Sequence, residues 1–230
     1  MPAAIFLIHG FSSSSKASWE RNGWLDLLAD AGREVVAPDL LGHGEAPKPH
    51  DPGSYGAVEE LAYAELKGSD AGGAVDAVGF SMGARIALLI EAAHPGTFGR
   101  MVVGGLGNNL FEPRDVEPVA LAIEGKGEAT DPLVRAFASA ASTPPNDPAA
   151  LAGFLRGAHR RVSPEDLATV RCPVLIAVGS EDVLVRPVEP LASALEDSVV
   201  VTIPGVDHLG TMKGYGFLEA AFEFLDVEPG

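Results

Sequence analysis

Asp76-Ala77-Val78-Gly79-Phe80-Ser81-Met82-Gly83-Ala84-Arg85-Ile86-Ala87-Leu88-Leu89 is the stretch that decides the fold. A short apolar run ends at Gly79, a lone serine follows, and after Gly83 a second apolar run has helical spacing. Strand, sharp turn and helix in that order present a serine hydroxyl at the tip of a strand. With 27 glycines in the chain, the pattern Gly-x-Ser-x-Gly is weak by itself, and its context must carry the argument. So tight a turn holds its serine at positive φ, a strain on the order of 1–3 kcal/mol. Side chains at Gly79 and Gly83 would crowd it, so glycine suits both positions. The helix that follows points its N-terminus and free N–H groups at the serine, where negative charge would develop.

Outward from this stretch, short apolar runs alternate with helical patterns. Strands are expected at 4–8, 34–37, 74–79, 101–104, 174–178 and 199–203. Each is apolar on nearly every residue, as strands buried on both faces should be. Helices are expected at 18–31, 58–67, 85–93, 188–195 and 215–225, with Gly32 as a helix stop. The alternation predicts an α/β fold with a doubly wound, mostly parallel sheet of about six strands. Residues 106–166 hold no strand pattern but have helical pieces at 116–124, 132–141 and 148–159. They are expected to form a small helical cap inserted into a core made of 1–105 and 167–230. Insertions on such sheets tend to cover the crevice at the carboxyl ends of the strands.

The bulk numbers narrow the function. A chain of 230 residues suits one α/β domain, large enough to need no disulfide or metal staple. The single cysteine, Cys172, cannot form an internal disulfide, and Cys172-Pro173-Val174 places it before an apolar strand as a buried thiol. The formal net charge of −16 argues against nucleic acid and against an anionic membrane surface, and favours a neutral substrate. The start Met1-Pro2-Ala3-Ala4-Ile5 has no basic leader, and no apolar run reaches the length of a membrane span, so a cytoplasmic protein is expected.

A serine hydroxyl is a poor nucleophile without a base within hydrogen-bond reach, and the base needs an orienting partner. Of the six histidines, His50, His94 and His159 are expected at the surface, while His9 and His43 border the site structurally. His208 is the candidate base. It follows the last strand in a glycine-flanked loop, Pro204-Gly205-Val206-Asp207-His208-Leu209-Gly210. Asp182, after the next-to-last strand, is the candidate acid. Glu181 is one residue off, and Asp207 is adjacent to His208 and so would diverge from it. The order Ser81, Asp182, His208 is the one expected for this kind of site. An oxyanion needs two N–H donors. Met82, just after the serine, supplies one, and Phe11 in His9-Gly10-Phe11, at the end of the first strand, supplies the other.

Four pieces in the right order now resemble the α/β-hydrolase family: His9-Gly10-Phe11, Asp39-Leu40-Leu41-Gly42-His43-Gly44, Gly79-Phe80-Ser81-Met82-Gly83, and Asp182 with His208. Within the family, Gly-Phe-Ser-Met-Gly is similar to carboxylesterases and to cofactor-free haloperoxidase-like perhydrolases. The resemblance implies a parallel sheet, a helical cap after the family's sixth strand, serine-dependent acyl chemistry, and no metal or organic cofactor. The Asp39–Gly44 loop is structural in this reading. Family members usually carry two further strands before the His-Gly strand. Here the sheet is expected to be shorter at that edge, which offers a second subunit a place to pair as a homodimer.

The expected activity is hydrolysis of a neutral carboxylic ester with a small to medium apolar acyl group, in a pocket lined by Phe11, Met82, Leu110, Phe111, Leu184 and Leu209. The same triad also serves perhydrolysis, acyl transfer or carbon–carbon bond hydrolysis. A ligand receptor with negligible turnover is a further alternative. Serine at 81 argues against the family branches that use an aspartate nucleophile.

Overall fold

Strands apolar on both faces must be covered on both sides, and six of them here form one parallel sheet. The computed structural model describes residues 2–228 except 70, 72, 113, 114 and 159. His159 therefore lies outside the described residues. The strands are β1 (Ala4–Ile8), β2 (Val35–Val36), β3 (Val75–Phe80), β4 (Met101–Gly104), β5 (Val174–Gly179) and β6 (Ser198–Ile203). Their order across the sheet is β2-β1-β3-β4-β5-β6, and every neighbouring pair is parallel. The helices are α1 (Trp24–Asp30), α2 (Val58–Gly68), α3 (Met82–Ala93), α4 (Glu117–Ile123), α5 (Pro132–Ala141), α6 (Pro148–Gly157), α7 (Glu189–Ala194), α8 (His208–Lys213) and α9 (Tyr215–Phe224).

The two-residue period of a strand divides the core. Phe6, Ile8, Ala77, Met101, Val103, Val174 and Ile176 pack on one face, with Leu66 of α2 and Ile86 and Leu89 of α3. Ile5, Leu7, Val78, Val102 and Leu175 pack on the other, with Trp24 of α1 and Phe217 and Phe222 of α9. At about 25 cal/mol per Å² of apolar surface removed from water, these two layers are the main driving force for folding.

Three expectations are corrected. The helix expected over 18–31 is broken: a single wide helical turn spans Lys16–Glu20, and α1 begins after Gly23 at φ 78°. The Asn22 side chain closes the first turn by donating to Ser18 O at 2.9 Å, and glycine then takes the left-handed conformation. The last strand is not buried on both faces. It is an edge, bonded only to β5, and its Val199 is 53% exposed. The opposite edge is β2, whose ladder pairs Val35 and Val36 with β1. Cys172 is half-buried, and its thiol is pushed up to about 12, chiefly by burial and then by Glu91.

Helices α4, α5 and α6 stand between β4 and β5 in the chain. Ile123, Ala141 and Leu151 form a small core of their own, joined to the body through Phe11. Arg156 of α6 ties this group together by pairing with Glu117 and Glu124 at 2.9 Å each. Asn146 ties it to the loop after β1 by donating to Ser12 O at 3.0 Å. Among the described residues no helix is long and apolar enough to cross a membrane.

Candidate active site

The carboxyl ends of β1, β3, β4 and β5 meet at Ser81. The serine sits between β3 and α3 with φ 52° and ψ −108°, the strained corner expected from its sequence. Its N–H donates to Gly104 O at 2.7 Å, which pins the corner to β4. A Cβ on Gly79 would lie 2.5 Å from Gly83 O, and one on Gly83 would lie 2.0 Å from Ile8 O. Both glycines are therefore required by backbone packing, Gly79 against the start of α3 and Gly83 against the end of β1.

Ser81 Oγ donates to His208 Nε2 at 3.1 Å. His208 Nδ1 donates to Asp182 Oδ2 at 2.7 Å. The other oxygen, Oδ1, accepts the Leu184 N–H at 3.1 Å. Both His208 and Asp182 are buried. The rejected acids are elsewhere: Glu181 is exposed, and Asp207 caps α8 by accepting from Gly210 N at 2.7 Å. That cap corrects one expectation. His208 is the first residue of a short helix, not part of a loop, and Thr211 Oγ1 donating to Asp207 O at 2.7 Å holds the turn. The imidazole also packs on Phe80, ring centroids 5.1 Å apart, and Phe80 continues to Phe217 of the core at 5.8 Å.

Phe11 and Met82 are both half-buried, and among the described residues neither backbone N–H has a protein acceptor. Buried amides rarely lack a partner, so these two donors are open to something else. Met82 begins the twelve-residue α3, whose positive end faces the same space. Behind Phe11, His9 accepts the Leu40 N–H at 3.0 Å and lies beside His43. Burial lowers both histidines, and His43 falls to about 3. Among the described residues His208, and neither of these two rings, is hydrogen-bonded to Ser81. The loop at Asp39 is structural too: its carboxylate accepts from Ser15 N and Glu45 N at 2.7 Å each. His50 and His94 pair with Asp147 and Glu60 at the surface.

A cavity of about 690 Å³ opens over Ser81. Phe11, Met82, Leu110, Phe111 and Leu184 line it as expected. Leu209 does not. Consecutive helical residues diverge by about 100°, and His208 is the one turned to Ser81. Phe137, Phe154 and Leu155 of α5 and α6 line it as well. Sequence reasoning missed Arg85, Arg160 and Arg161, which also line the cavity. For Arg85 a signal existed: it stands four residues after Ser81, one turn along the same helix.

The family model described as the alpha/beta hydrolase family matches residues 5–224. A bromoperoxidase from Bacillus anthracis superposes with a TM-score of 0.75 at 20% identity, covering 98% of this chain and 92% of that one. A thermophilic esterase from Thermogutta terrifontis gives 0.73 at 21% identity, covering 98% and 90%. At such identities the likeness is one of fold. An AB hydrolase superfamily protein of Gibberella zeae is 34% identical over 117 residues, 50% of this chain and 39% of that relative. The match thus spans well under two thirds of that relative's length.

Proposed function

The chain belongs to the alpha/beta hydrolase family, and we propose that within it this protein is a serine hydrolase that cleaves a carboxylic ester with a small to medium apolar acyl group. One observation carries the reading. The relay from Asp182 through His208 to Ser81 is unbroken at 2.7 and 3.1 Å, and it ends on a strained serine facing a cavity. In this reading residues 106–166 act as a cap over the core.

Ser81 Oγ attacks the ester carbonyl while its proton passes to His208 Nε2. The tetrahedral oxyanion is held by the N–H groups of Phe11 and Met82. The intermediate collapses, the C–O bond to the alcohol breaks, and His208 returns its proton to the leaving alkoxide. Water then attacks the acyl group on Ser81 with His208 again taking the proton. Breakdown releases the carboxylic acid and restores the serine hydroxyl. Asp182 holds the imidazole in the tautomer that can accept at Nε2, and it stabilises the imidazolium that forms.

Turnover of p-nitrophenyl esters of increasing acyl length tests the reading. Wild type is expected to hydrolyse them, and Ser81→Ala to lose about 10⁶-fold in kcat while keeping its fold. Activity within tenfold of wild type in that variant rejects the mechanism. The optimum acyl length measures the usable depth of the cavity.

A further inference from the structure

Three of the chain's 16 basic residues line this one cavity, in a chain whose net charge is −16. The elbow itself places the first of them. Arg85 N–H donates to Ser81 O at 3.0 Å, so Arg85 stands one helical turn beyond the serine on the same side of α3. Its half-buried guanidinium donates to two neutral acceptors only, Ala158 O at 3.4 Å and Arg160 O. Among the described residues it has no ion pair.

Two carboxylates and two further arginines also line the cavity. Arg160 is paired with Glu59 at 3.4 Å. Glu112 accepts from Asn108 at 2.7 Å, and Asp166 accepts from Ser163 N at 2.7 Å. Arg161, exposed at the cavity wall, has no ion pair among the described residues. A guanidinium offers five donors in a flat fork that matches a carboxylate, and Arg85 has spare donors. Glu59, in contact with Arg160, also acts on Arg85 from a longer distance, but among the described residues no carboxylate contacts the Arg85 guanidinium, and an anionic guest would supply that contact. Phe11, Leu106, Phe137, Phe154 and Val162 line the same cavity and make much of its wall apolar.

We infer that the cavity takes an acyl group ending in a carboxylate, received by Arg85, with Arg161 adding attraction at the wall. The natural substrate is then a half-ester of a medium-length dicarboxylic acid, apolar in the middle and charged at its far end. This rests on the serine-hydrolase reading for the position of the reacting carbonyl. It keeps the serine chemistry but replaces both the neutral substrate expected from net charge and the wholly apolar acyl group by one with a terminal carboxylate, because net charge averages the whole surface while recognition depends on the cavity wall.

Monomethyl adipate and methyl hexanoate have six-carbon acyl chains and differ in the terminal group. Wild type is expected to prefer the charged ester in kcat/KM by about tenfold or more, the range of a charge-assisted hydrogen bond. The preference should shrink as salt is added. Arg85→Gln should bring the ratio near one, and Arg85→Lys should keep part of it. A wild-type ratio at or below one overturns the inference. So does an Arg85→Gln variant that slows both esters and leaves the ratio unchanged, since that marks a purely structural arginine. Calorimetry of monomethyl adipate with Ser81→Ala separates the two readings. Binding that is lost in Ser81→Ala/Arg85→Gln, without turnover in wild type, upholds the anion site and rejects the hydrolase. Neither binding nor turnover overturns the anion site.

Discussion

The two ends of the sheet bury an aspartate in opposite ways. Asp76, near the amino end of β3, is 2% exposed and meets Arg33 at 2.9 Å and Arg100 at 3.1 Å. Arg33 is also bonded to Ala3 O and Leu225 O, and Arg100 to Phe224 O, Leu225 O and Asp226. This end joins the strands to the tail of α9 with matched charges. Asp182, past the carboxyl end of β5, is 1% exposed and is held by the His208 imidazole and the Leu184 amide. Removing the carboxylate at Asp76 would strand two cations, whereas the carboxylate at Asp182 is placed to stabilise a positive charge that appears transiently on His208. The amino end is built for stability and the carboxyl end for reaction.

Swapping the perturbation between the two ends tests this division. The largest effect is expected at Asp182. Asp182→Asn should lower kcat by about 10⁴-fold, the size such a change has in serine proteases, because the amide lets the imidazole settle in the wrong tautomer. Its melting temperature should move little. If Glu181→Gln were the damaging change instead, the acid would be misassigned. At the amino end, Asp76→Asn should do the reverse. Removing one member of a buried charge network leaves cations uncompensated and costs about 3–5 kcal/mol, read as a lowered urea midpoint. The kcat of the folded fraction should stay within about twofold. A catalytic defect in Asp76→Asn without loss of stability would erase the division.

How far these ends were legible in the sequence follows from the range of the interactions. The strands at Ala4–Ile8 and Met101–Gly104 and the helix at Pro132–Ala141 follow from local periodicity. The elbow follows from two glycines whose backbone clashes lie within a few residues of it or across one strand. Asp182 and His208 were readable because each immediately follows a strand, and parallel strands bring their carboxyl ends together. The Arg33–Asp76–Arg100 cluster carries no such sign, because it joins residues from three separate strand starts and the chain's last helix. The break at Gly23 lay hidden because the apolar pattern continues through it. The cavity arginines were obscured by a total charge dominated by the outer surface.

The smallest expected effect sharpens the contrast on the carboxyl side. His43 is fully buried behind Phe11, with Nδ1 on Leu41 O at 3.2 Å and Nε2 without a partner among the described residues. Burial, and then the neighbouring His9, lower it to about 3. The folded protein therefore keeps this ring neutral over a range where the unfolded chain, titrating near 6.5, takes up a proton. Above that pH neither state binds it and stability is whole. Below it the unfolded state gains protons that the folded state does not, so stability falls by about 1.4 kcal/mol per pH unit until the folded ring itself titrates. His9 is lowered in the same direction by its own burial and adds to the trend. Urea melts of wild type and His43→Gln between pH 7.5 and 5 measure it. The variant should start less stable, because its amide replaces a packed ring, yet lose less on acidification. Parallel slopes would mean that water or a local opening lets His43 charge in place, and the buried histidine pair would then not be the source of acid sensitivity at this end of the sheet.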